Sequence, residues 1–177
     1  MPTNLPLEIE RKFLIEYPDA ERLAALADGN ISSIVQTYLQ NPNGISERVR
    51  ARTRGGRTVY TYNCKIKLSD LKRIEEEREI DEDEYRELLR RADPACRPIE
   101  KTRYVILQNG FAYEVDIFPF WDTQAFLEVE LPREDAVFPL PDFVRVIREV
   151  THEKGYTNHD LARIIGDVKK APNEKSE

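Results

Sequence analysis

Apolar and charged residues alternate along much of the chain, and that alternation predicts strands. Over residues 7–15, Leu7, Ile9, Phe13 and Ile15 fall on one parity, while Glu8, Glu10 and Lys12 fall on the other. A period of two sends successive side chains to opposite faces of a strand. The same pattern marks strands at 34–40, 46–52, 58–68, 99–107, 111–118 and 126–131. In the longest, Tyr60, Tyr62, Cys64, Ile66 and Leu68 oppose Thr61, Asn63, Lys65 and Lys67. Residues 73–80 are rich in Glu and fit strand or helix by propensity; they are placed as a strand because Asp81 is a good N-cap for a separate helix reaching Ala92. Further helices are expected at 19–27, 142–150 and 159–165. Turn chemistry joins neighbours at Asn41-Pro42-Asn43-Gly44, Gly55-Gly56 and Asn109-Gly110. The result is an α+β fold: an eight-stranded antiparallel β-barrel with short helices packed outside. Residues 1–167 are expected to form a single domain, and 168–177 a disordered tail.

Composition narrows the function. The chain has 177 residues, 40% of them hydrophobic and 34% charged, with a net charge of −6. The acidic balance argues against a nucleic-acid partner, so any anion site must be a local concentration of the 27 Lys and Arg residues. The two cysteines, Cys64 and Cys96, lack CxxC spacing, and a reducing cytoplasm suits them. The N-terminal residues carry no basic and apolar signal pattern, and no stretch is apolar for the roughly 18 residues a span requires, so no membrane role is expected. With two histidines, both late in the chain, chemistry is expected to rest on carboxylates, Lys and Arg.

The polar face of the strands supplies those groups in pairs two residues apart. The acids are Glu8 and Glu10, Glu75, Glu77 and Glu79, Glu114 and Asp116, and Glu128 and Glu130; the bases are Lys12, Arg48, Arg50, Arg52, Lys65, Lys67, Arg73, Lys101 and Arg103. Any one pair reads as the wet face of an amphipathic sheet. Repeated on strand after strand, they read as an interior. Paired carboxylates suit Mg²⁺ or Mn²⁺, clustered Lys and Arg suit phosphate oxygens, and phosphoryl transfer needs both.

The segment Glu8-Ile9-Glu10-Arg11-Lys12 resembles the Glu-x-Glu-x-Lys motif of the CYTH superfamily, the triphosphate tunnel metalloenzymes. In order, Arg48-Val49-Arg50, Lys65 or Lys67, Arg73-x-Glu75-x-Glu77, Lys101-x-Arg103, Glu114-x-Asp116 and Glu128-x-Glu130 also match. So does the closing Glu149-Val150-Thr151, with Tyr156-Thr157-Asn158 and Leu161-Ala162. The resemblance implies a tunnel of eight antiparallel strands. It implies metal carboxylates at Glu8, Glu10, Glu114, Asp116, Glu128 and Glu130, and triphosphate contacts from Lys12, Arg48, Arg50, Lys101 and Arg103. Glu75 and Glu77 would lie near the hydrolytic water or hold metal through water, and Lys12 would serve turnover as well as binding. The family's fourth strand usually carries Thr-x-Lys; here it is Asn63-Cys64-Lys65-Ile66-Lys67, so either lysine fits that role.

The function implied is divalent-metal-dependent hydrolysis of inorganic triphosphate to pyrophosphate and phosphate. The substrate is a small molecule, and association as a homodimer stays open. The alternatives are a class IV-type adenylate cyclase, disfavoured because no His-Phe pair precedes Glu8, a thiamine triphosphatase, or a non-catalytic polyphosphate-binding module.

Overall fold

The computed structural model describes residues 9–42, 45–67, 73–133 and 135–168, with backbone only at 66, 67, 73–75 and 166–168. The strands are β1 (Ile9–Glu16), β2 (Ile31–Leu39), β3 (Ser46–Arg54), β4 (Arg57–Lys67), β5 (Arg73–Ile80), β6 (Ile99–Gln108), β7 (Phe111–Ile117), β8 (Gln124–Leu131) and β9 (Val146–Glu149). The helices are α1 (Ala20–Ala27), α2 (Glu82–Leu89) and α3 (Asn158–Val168). Hydrogen bonds order one nine-stranded sheet as β5-β4-β3-β2-β6-β7-β8-β1-β9. The fold is α+β, with antiparallel pairing of β1 to β8 and β9, of β4 to β5, and of β7 to β6 and β8.

All eight expected strands are present. The ninth is a correction: residues 146–149, expected within a helix over 142–150, instead pair with β1. Phe143, Val146, Ile147 and Val150 imitate helical spacing, but pairing with β1 outweighs that local pattern. Residues 169–177, the end of the expected tail, lie outside the described residues.

Local chemistry explains the joints. Asp19 caps α1 by accepting from the amides of Glu21 and Arg22 at 3.0 and 3.1 Å, and Asp81 caps α2 by accepting from the Glu84 amide at 2.8 Å. Asn109 and Gly110, at φ 53° and 79°, make the tight turn between β6 and β7.

The chain divides into two compact units. One comprises Met1–Ile34, Arg52–Thr58 and Glu100–Glu153. Its core joins Phe13 and Ile15 of β1, Tyr113 and Val115 of β7 and Leu127 and Val129 of β8 to Leu23 and Ala27 of α1. These strand residues have the opposite parity to Lys12, Glu114, Asp116 and Glu128, so burying them turns the charged row to the other face of the sheet. The other unit comprises Val35–Ala51, Val59–Ile99 and Lys154–Glu177. There Leu39, Val49 and Ile80 pack with Tyr85 of α2, whose ring lies 4.6 Å from that of Tyr60.

Candidate active site

Strand register assembles the charges of the first unit. On β1 and β8, Lys12 stands opposite Glu128 and Glu10 opposite Glu130. On β7, Glu114 stands opposite Glu128 of β8, and Asp116 opposite Arg103 of β6. Four strands adjacent in the sheet therefore present one continuous charged patch.

Its inner part is a dense ion-pair network. Lys12 Nζ lies 3.0 Å from Glu128 Oε1 and 4.0 Å from the centre of the Phe126 ring. Lys101 Nζ donates to Asp116 Oδ2 at 2.5 Å. Arg103 donates through Nε to Asp116 Oδ1 and through Nη2 to Asp116 Oδ2 and Glu128 Oε2, each at 2.7 Å, while Nη1 pairs with Glu114. Lys12, Lys101, Asp116 and Glu128 are all buried, and Asp116 is wholly inaccessible. Burying so many charges is costly unless each is paired and hydrogen-bonded, and here Lys12, Lys101, Arg103, Asp116 and Glu128 each have an oppositely charged partner.

The titration behaviour follows. Burial pushes the Asp116 carboxyl upward, but Lys101 and Arg103 outweigh it and hold it below the ordinary carboxylate range. Glu128 is likewise lowered on balance: burial and Asp116 raise it, and Lys12, Lys101 and Arg103 prevail. Lys101 is lowered, first by burial and also by the like charge of Arg103, against the pull of Asp116. Two cations against one carboxylate keep Asp116 ionised. Burial raises Glu114, with Arg103 opposing.

The outer part of the patch is acidic. Glu10 and Glu130, directly opposite one another, are exposed. Like charges so placed repel, and a divalent cation would relieve them. Glu10, Glu130 and the half-buried Glu114 are hard oxygen donors that fit such an ion; Glu114 is paired with Arg103, and the oxygens of Asp116 and Glu128 are engaged more fully by Lys and Arg. Among the described residues no three acidic, His or Cys groups are gathered into a ready metal cage. Glu8 lies outside the described residues.

The second unit carries the other expected residues. Arg50 Nη2 lies 3.9 Å from Glu77 Oε2, which also accepts from Asn63 Nδ2 at 3.3 Å. Asn63 stands opposite Glu77 and Lys65 opposite Glu75. The side chains of Lys67 and Glu75 lie outside what the structure describes. Arg48 lies beside the Tyr38 hydroxyl, which accepts from Gln36 Nε2 at 2.9 Å. The Tyr38 ring meets His159, at the start of α3, at 4.7 Å. Tyr38 is thus a buried prop beside a candidate phosphate arginine.

Sequence reasoning missed Phe126, the ring beneath Lys12, and Phe118, whose ring centre is 6.0 Å from Lys101 Nζ. The signal was present: Phe126 precedes Glu128 by two, and Phe118 follows Asp116 by two, on the same faces. Trp121 packs edge-on against both rings, 5.0 Å from Phe126 and 5.3 Å from Phe118.

A sheet carrying such rows of paired Lys, Arg, Glu and Asp, in this order along the chain, defines a phosphate-handling class, and residues 6–164 match the CYTH domain family model. The chain belongs to that family. It is 34% identical over 161 residues to an inorganic triphosphatase of Acetivibrio thermocellus, covering 88% of this chain and 93% of that protein. The crystal structure of the inorganic triphosphatase NE1496 is 32% identical, with a TM-score of 0.56 over 90% of this chain and 96% of that one. The PH1819 protein from Pyrococcus horikoshii OT3, at 22% identity and a TM-score of 0.50 over 73% of this chain and 80% of that one, shares the fold. No helix among the described residues is long and apolar enough to cross a membrane.

Proposed function

We propose that this chain hydrolyses inorganic triphosphate to pyrophosphate and phosphate, assisted by Mg²⁺ or Mn²⁺. The observation that carries this reading is the buried network of Lys12, Lys101 and Arg103 with Asp116 and Glu128 on four adjacent strands. Resemblance to two inorganic triphosphatases over most of the chain supports it.

The charge balance of the network gives each group its work. Three cations, Lys12, Lys101 and Arg103, already face three carboxylates, Glu114, Asp116 and Glu128. A polyanion entering this neutral set must bring compensating positive charge. A divalent cation held by Glu10, Glu130 and Glu114, with Glu8 as a further candidate, would supply charge neutralisation at phosphate oxygens. Arg103 and Lys101 fix phosphate oxygens with donors already oriented by Asp116, so little reorganisation remains during reaction. The Lys12 ammonium, seated between Glu128 and the Phe126 ring, donates a proton in a hydrogen bond to the departing phosphate oxygen. Arg48, Arg50 and Lys65 or Lys67 are assigned to binding, and Glu75 and Glu77 to orienting the attacking water. Asp116 and Glu128 stay in the metal-ligand set implied by the family, and they would bind the ion only by yielding some of their contacts to Lys and Arg. The place of work is taken to be the reducing cytoplasm, because Cys64 and Cys96 are buried free thiols.

The test is a panel of inorganic triphosphate, pyrophosphate, ATP and thiamine triphosphate, each with Mg²⁺, with Mn²⁺ and with chelator. The expected result is fastest phosphate release from inorganic triphosphate and none in chelator. Full turnover in chelator, or a faster organic substrate, would overturn the assignment.

A further inference from the structure

The motif Glu149-Val150-Thr151 lies against the backbone of Lys12. Ladder pairing of β1 with β9 joins Leu14 to Arg148 and Phe13 to Glu149. At the next position the Val150 amide donates to the Lys12 carbonyl at 2.8 Å. The Lys12 amide donates to Thr151 Oγ1 at 3.0 Å. A hydroxyl therefore takes the place of a backbone carbonyl, and both polar groups of Lys12 are held by successive residues.

The hydroxyl is itself oriented. It has one proton, which goes to Glu149 Oε1 at 2.8 Å rather than to the Lys12 carbonyl at 3.4 Å. That leaves its lone pairs facing the Lys12 amide. Glu149 is gripped by the Arg11 fork, Nε to Oε1 at 2.9 Å and Nη2 to Oε2 at 2.6 Å. Arg11 and then Thr151 hold the Glu149 carboxyl down to about 2, so it stays an acceptor at neutral pH. The contacts run from Arg11 through Glu149 and Thr151 to Lys12, beginning and ending on neighbouring residues of one strand. Those neighbours point to opposite faces. An anchor on one face thus fixes the backbone from which the Lys12 ammonium reaches Glu128 on the other.

We propose that Thr151, set by Glu149 and Arg11, is a positioning residue for Lys12, fixing its peptide and thereby the place of its ammonium in the triphosphate site. This rests on the assignment of Lys12 to turnover given above. Thr151→Val keeps the shape and removes the acceptor, Thr151→Ser keeps the hydroxyl, and Lys12→Ala removes the group being placed.

The experiment is steady-state hydrolysis of inorganic triphosphate with Mg²⁺ by wild type, the three single variants and Thr151→Val/Lys12→Ala. Thr151→Val should lower kcat by roughly tenfold to a hundredfold with KM changed by less than about twofold, the scale of a small misplacement of a reacting group. Thr151→Ser should restore kcat to near wild type. In the Lys12→Ala background, Thr151→Val should cost less than about twofold more, because the two residues act as one unit. A general folding defect would instead multiply with the loss from Lys12→Ala and show in the melting temperature. Wild-type kcat in Thr151→Val, or a full further loss in the double variant, overturns the clamp. Wild-type protein inert toward triphosphate is a separate failure, of the proposed function, seen before any variant is compared, and it takes the clamp's catalytic role with it.

Discussion

Arg103 touches three carboxylates, those of Asp116, Glu128 and Glu114, and burial alone would make each of these contacts hard to leave unpaired. Asp116→Asn should therefore destabilise the chain by about 3–5 kcal/mol, the cost of breaking a buried ion pair by removing one partner. Urea unfolding measures this, and an unchanged midpoint would show that the network is wetter than its geometry implies. The pH dependence has a definite sign. Asp116 and Glu128 are lowered in the folded chain, so their stabilisation is full above the ordinary carboxylate range, begins to be lost as pH falls into it, and goes on being lost down to their folded values below it. Glu114 is raised and works the other way, regaining stability on protonation. With Glu149 also lowered, to about 2, the loss should prevail. The urea midpoint should drop between about pH 6 and pH 3, a window spanning the ordinary carboxylate range; equal midpoints would contradict these assignments. At this scale the sequence was informative about residue types and faces. The pairs Lys101-x-Arg103 and Glu114-x-Asp116 named the participants, but parity could not say that Asp116 would be taken by two cations while Glu10 faced Glu130.

Between β6 and β7, Asn109 and Gly110 both take positive φ, and this turn sets the register that puts Arg103 opposite Asp116. Gly110→Val, forced to φ near 79°, should cost about 1–2 kcal/mol, the penalty of a left-handed residue with a side chain. It should also lower triphosphate turnover, because a slipped register turns one strand's charged row away from the others. A melting temperature and kcat both equal to wild type would show that the register is set elsewhere. Asn-Gly is a turn signal any sequence shows, as is Asp81 before α2, and both elements were legible for that reason. β9 was not. Over five apolar positions between Phe143 and Val150 the helical period fits as well as any other, and only contact with β1, remote in sequence, decides the matter. The Thr151 contact with Lys12 spans 139 positions and has no local signature at all.

Among the described residues, nine strands and three helices are formed, and the charges on β1, β6, β7 and β8 at Lys12, Lys101, Arg103, Asp116 and Glu128 are matched to one another. The order of motifs along the sequence conveyed the fold class and the family at once, because each motif is a strand's polar face; sheet order, edges and division into units depend on pairings that no single segment encodes. A ligand that binds only the folded protein stabilises it, so triphosphate with Mg²⁺, if it is the substrate complex proposed above, should add about 2.7 kcal/mol at about a hundred times its dissociation constant. Calorimetry should show a raised melting temperature with both components and a smaller rise with either alone. No shift at saturation would mean that the charged rows do not take the polyanion. If the buried network around Lys12 performs the hydrolysis, kcat of Lys12→Ala for inorganic triphosphate, at saturating substrate and Mg²⁺ and with a melting temperature equal to that of wild type, is where it shows. The expected result is a fall of about a hundredfold or more, the scale of losing one preorganised electrostatic contact, with a lesser change in KM. Turnover by Lys12→Ala within about twofold of wild type, far below that scale, would contradict it.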